Sequence, residues 1–213
     1  EIPPDYENML RDARIRLEAM ELYRENDAPR IFVCASHELF DFIVRLAGKR
    51  FVGQGLLISL AGNAFFSQEM VAEVGRRHGG RPMHSRLQGS LAAAIAHEAA
   101  HDLVFAEVGF NNARRLPVWK SEGYAYYQAN KAAIDGDPNY DLRARISYLL
   151  DEDSWPPPTG FVDRRHFRWQ LQVEFLCGVR GMGFHKLMDR AISEEQSRDA
   201  MMRWYGNRVG AER

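Results

Sequence analysis

Cysteine is scarce: Cys34 and Cys177 are the only two in 213 residues, and they stand far apart without C-x-x-C spacing. A zinc ribbon and a thioredoxin-like redox motif are therefore excluded. Two interior free thiols are the expectation, with a long-range disulfide as the alternative. No apolar run reaches the roughly 18 residues that cross a bilayer. Neither sign of charge is in excess, since 28 Lys and Arg face 29 Asp and Glu, so no global field draws the chain to nucleic acid or to an anionic membrane. A glycine-rich phosphate loop is missing too, because neither Gly53 and Gly55 nor Gly178, Gly181 and Gly183 fit G-x-G-x-x-G. The chain has no internal repeat. It begins at Glu1 rather than Met, which leaves room for a removed signal peptide or anchor and an extracytoplasmic location.

What is present is an ordinary globular composition, 46% hydrophobic and 27% charged, enough for one domain or two small lobes around a shared cleft. Tyr6, Met9, Leu10, Ala13, Leu17, Met20 and Leu22 recur at near-helical spacing, and Asn26-Asp27-Ala28-Pro29 ends that helix. Arg30 to Ala35 reads as a short buried strand. Ser36 then caps a helix from His37 to Leu46. Leu56 to Leu60 reads as a second strand between glycines, closed by a turn at Ala61-Gly62-Asn63. Leu87 to Val108 is strongly helix-forming and alanine-rich, with Gly109 as its stop. Pro117 can open a further helix through Ala133. The acidic, proline-rich stretch from Asp151 to Gly160 reads as a surface loop. Beyond it, Phe161 to Cys177, Phe184 to Ile192 and Asp199 to Tyr205 read as helices.

Inside the alanine-rich helix lies His97-Glu98-Ala99-Ala100-His101. Residues four apart on a helix differ by about 40° around its axis, so His97 and His101 project from one face, one turn apart, as two imidazoles sharing a metal must. Glu98 lies near that face. It cannot easily ligate beside its neighbour, but it is placed to take a proton from an activated water. A hydrolytic zinc site needs three protein ligands and an open position, and a carboxylate from a second helix completes the set. Glu122, early in the helix after Pro117, is that carboxylate. The alternative makes both histidines core or salt-bridged residues, with Glu122 an ordinary carboxylate near a helix start.

With Leu116-Pro117-Val118-Trp119-Lys120-Ser121-Glu122-Gly123 following the H-E-x-x-H helix, the chain resembles the gluzincins, and among them the bacterial peptidase-MA-like proteins, whose second motif is similar to P-x-W-x-x-E-G. By specific motif the likeness covers roughly residues 90 to 130. It implies a zinc metallopeptidase acting on a peptide or protein substrate. One zinc ion per chain would be held by His97, His101 and Glu122, with Glu98 as general base. It implies an α+β, predominantly helical, zincin-like fold: one catalytic domain, with a sheet-bearing lobe and active helix in residues 1–110 and a helical lobe in 111–213. By the same analogy, Leu56, Leu57, Ile58, Ser59 and Leu60 form the edge strand that pairs with extended substrate. The family adds a Tyr or His that stabilises the oxyanion. Downstream Tyr124, Tyr126, Tyr127, Tyr140, Tyr148 and His166 are available, with His166 and Tyr126 carried forward. The chain departs from thermolysin-like enzymes in one place: the acid expected four residues after the third ligand is Tyr126. A zinc-bound scaffold that lost efficient chemistry is therefore a second reading, and a metal-free helical interaction domain a third.

Overall fold

The computed structural model describes residues 6–25, 30–34, 36–46, 58–60, 63–67, 91–151, 164–189 and 191–209, and these are predominantly helical. Helix α1 spans Tyr6–Glu18. Ala13, Arg16, Leu17 and the following Met20 are buried, a helical stripe that turns one face inward. Strand β1 (Arg30–Cys34) leads into α2 (His37–Leu46). Ser36 caps that helix as expected, its Oγ accepting from the Leu39 backbone N–H at 3.3 Å. Strands β2 (Ile58–Leu60) and β3 (Asn63–Ser67) follow. The sheet order is β1-β3-β2, with β1 parallel and β2 antiparallel to the central β3. Asn63, expected in a turn, opens β3 and pairs with both outer strands. Leu56 and Leu57 lie outside the described residues.

Helix α3 spans Leu91–Val108 and ends where expected: Gly109 sits at φ 79°, a conformation costly for any residue with a Cβ. A short α4 (Phe110–Ala113) leads to Pro117, the N-cap of α5 (Val118–Asp135). Helix α6 (Leu142–Leu150) was not anticipated; its N-cap is Asp141, whose side chain accepts from the Arg143 backbone N–H. Helix α7 (Arg164–Glu174) runs on into a π-helical turn at Phe175–Val179. Helix α8 is shorter than expected (Phe184–Met188), and α9 (Glu194–Val209) is much longer. The proline-rich stretch at 152–160 lies outside the described residues. Both cysteines are free, and Cys34 is buried.

Helix α5 is the centre of the fold. On one side Ala125 and Ala129 meet Ala96, Ala99, Ala100 and Leu103 of α3 and Leu17 and Met20 beside α1. Small side chains at this seam let the α3 and α5 backbones approach closely. Arg16, 1% exposed, ties α1 to the same seam by donating to the Ala129 carbonyl at 2.7 Å. On the other side α5 packs against α7. A Cβ on Gly123 would lie 2.6 Å from the Trp169 carbonyl oxygen, so the glycine after Glu122 serves helix packing. The larger core there includes Trp119, Tyr124, Tyr127, Phe167, Leu171, Val173 and Phe175.

Candidate metal centre

The seam between α3 and α5 brings His97, His101 and Glu122 together. His97 Nε2 lies 3.4 Å from Glu122 Oε2, and His101 Nε2 lies 3.7 Å from Oε1. The two Nε2 atoms are 3.2 Å apart. Among the described residues this is the one group of three or more His, Cys, Asp or Glu side chains whose ligand atoms gather in this way. The side chains are largely but not wholly covered: His97 is 12%, His101 15% and Glu122 28% exposed. Burial alone would raise the pKa of Glu122. Hydrogen bonds from His101 and His97 and their charge outweigh it, holding the carboxyl well below the usual carboxylate range.

The rotation of α5 is fixed beside the cluster. Lys120 is fully buried and donates from Nζ to the Asp189 carbonyl at the end of α8. Burial lowers its pKa, partly offset by Asp189. Its neighbour Ser121 places Oγ 3.4 Å from His101 Nδ1. Sequence reasoning assigned Ser121 nothing, because its value depends on how α5 is rotated against α3.

Rings wall the site on one side. Tyr126 packs its ring on His97 at 4.1 Å between centroids, His166 meets Tyr126 edge-on at 5.7 Å, and Trp169 meets His166 at 5.0 Å. Trp169 in turn donates from its indole N–H to Glu194 at 2.7 Å. Both carried-forward residues, Tyr126 and His166, therefore belong to this wall. Three other downstream tyrosines do not: Tyr124 is 1% and Tyr127 7% exposed in the core, and Tyr140 donates to the buried Glu174. Glu98 is partly exposed on α3 beside His97. Ile58, Ser59 and Leu60 form an outer strand of the sheet, and that strand lies against α3. His185 has its own surface partner, Glu107, at 3.1 Å.

Two imidazoles and a carboxylate on adjacent helices form a donor set of the composition that zinc takes in hydrolytic sites. Compared with known protein families, curated proteins and solved structures, the chain matches none.

Proposed function

We propose that this protein is a zinc-dependent metallopeptidase of gluzincin type with a zincin-like fold, in which His97, His101 and Glu122 hold one zinc ion. The observation that carries this reading is a set of distances. Tetrahedral zinc with bonds of about 2.0–2.1 Å separates two ligand atoms by about 3.3–3.4 Å; the two imidazole Nε2 atoms stand 3.2 Å apart, and each has a Glu122 oxygen near it, Oε2 at 3.4 Å from His97 and Oε1 at 3.7 Å from His101. One ligand atom from each residue lies within 4.8 Å of the other two, which supports a shared ion. No described helix is long and apolar enough to cross a membrane.

When bound, zinc would act as a Lewis acid on a scissile carbonyl and activate water near neutral pH. The chain's own residues do the rest. Glu98, next to His97 in sequence, takes the proton of the attacking water and returns it to the leaving amine. Tyr126 and His166, on the ring wall, supply donors toward the oxygen that gains charge as the carbonyl becomes tetrahedral. The edge strand Ile58–Leu60 offers backbone groups to which extended substrate can add as a further strand.

Glu98→Gln tests the chemistry. The variant should keep its zinc and lose cleavage of a casein or peptide-library substrate by about 10²–10⁴-fold, the usual contribution of a positioned general base. Cleavage that persists in Glu98→Gln, with contaminating proteases excluded, contradicts the mechanism. Zinc binding without zinc-dependent cleavage by the wild type would favour the scaffold reading.

A further inference from the structure

We infer that Ser121 is the positioning residue for His101: its hydroxyl accepts the Nδ1–H of the imidazole and so commits Nε2 to the metal. This inference rests on the reading of His97, His101 and Glu122 as zinc ligands and names the group that supports one of them.

The argument begins with tautomers. A neutral imidazole carries one proton on two nitrogens, and a ligand nitrogen must present a lone pair. His101 turns Nε2 toward Glu122 and His97; with a metal there in place of the proton donated to Glu122, the ring's proton belongs on Nδ1, where Ser121 Oγ stands at 3.4 Å. A hydrogen bond at that nitrogen fixes the tautomer, orients the ring and raises the basicity of the other nitrogen.

The placement is held from both sides. Ser121 directly precedes Glu122 on α5, so one helix supplies a ligand and the support for another. Lys120, bonded to Asp189, keeps that turn from rotating, and the alanine seam keeps α3 at close range. His97 is held by different means. Its Nδ1 is buried and has no hydrogen-bond partner among the described residues, while its ring packs on Tyr126 at 4.1 Å. With Tyr126 standing where the acid was expected, Ser121 is the polar support that the motif itself supplies.

The test compares Ser121→Ala with Ser121→Thr, which keeps the hydroxyl. Zinc affinity is read by competition with a chromogenic chelator, and ligand geometry by the visible spectrum of the cobalt-substituted protein. Ser121→Ala should bind zinc about 10–100-fold more weakly than wild type, the usual effect of losing such a support, and shift the cobalt bands. Ser121→Thr should stay within a few-fold and keep the wild-type spectrum. A circular dichroism melt of each metal-free variant shows that the fold is intact. Ser121→Ala binding zinc as tightly as wild type, or both variants weakened alike, overturns the role of the hydroxyl while leaving the three ligands standing. A wild type that binds neither ion removes the ligand reading itself, and this inference with it.

Discussion

Replacing Gly123 by alanine sets two physical effects against each other, and the structure decides which wins. In a helix interior, alanine is better than glycine by roughly 0.5–1 kcal/mol, so propensity alone makes Gly123→Ala stabilising. The new Cβ, however, would stand 2.6 Å from the Trp169 carbonyl oxygen, 2.9 Å from its carbon and 2.8 Å from Val173 Cγ2. Val173 can shift slightly, but the Trp169 carbonyl is part of the α7 backbone. Restoring a contact of 3.4 Å to that oxygen requires α7 to withdraw by about 0.8 Å. Overpacking of this kind costs about 1–3 kcal/mol, and the midpoints of the two ranges leave a net loss of about 1 kcal/mol. For a chain of this size that lowers the melting temperature by roughly 2–4 °C. Gly206 is the matched control: it lies within α9 and nothing stands within 4 Å of its added Cβ, so Gly206→Ala should gain about 0.5–1 kcal/mol. Thermal and urea unfolding of the two variants beside wild type measure both signs. A Gly123→Ala protein as stable as wild type, or more so, would refute the close approach of α5 and α7.

The buried group of Tyr140, Arg145 and Glu174, in which Arg145 reaches Glu174 at 2.9 Å and Tyr140 at 2.5 Å, should respond unevenly to substitution. Glu174→Gln leaves Arg145 without its counter-charge and should cost about 3 kcal/mol, whereas Arg145→Met/Glu174→Met should recover most of that loss; urea unfolding of both checks it. Cys177 gives a pH signature. Burial pushes its thiol up to about 12 from the ordinary value of 9.0, so the unfolded chain releases this proton first. Stability must then fall as pH rises from 9 toward 12, by up to about 1.4 kcal/mol per pH unit. Cys177→Ala should lack that component, and unfolding curves with parallel pH dependence would contradict it. Cys177 is half-buried, and its raised pKa should make it react more slowly with a thiol reagent at pH 8 in the folded protein than in the unfolded chain.

The helix carrying both histidines was legible because its signals are local: alanine-rich propensity, a glycine stop at Gly109, and Pro117 at the next start. Ser36 was legible for the same reason. Two other local signals were present but unread. Ser193 and Gln196 form a reciprocal capping box, with Ser193 Oγ accepting from the Gln196 N–H at 3.1 Å and Gln196 Oε1 from the Ser193 N–H at 3.0 Å. That box opens α9 well before Asp199. Asp141 likewise announced α6 as a cap. Strand β3 was a different case, since Asn63 is a common turn residue and becomes strand through pairing with the distant β1. In the candidate site, residue types and spacing pointed to His97, His101 and Glu122, the three side chains that the fold brings together. Ser121, the ring wall from Tyr126 to Trp169 and the packing role of Gly123 depend on how three helices are rotated against one another, which no spacing along one chain encodes.

The most direct test of the central claim is zinc content, measured by elemental analysis on purified wild-type protein beside a folded Glu122→Ala variant after equal zinc supplementation and desalting. The account predicts about one zinc per wild-type chain and a clear loss in Glu122→Ala, because removing one of three ligands weakens the site. No zinc in either protein would contradict it and leave His97, His101 and Glu122 as a hydrogen-bonded cluster between two helices.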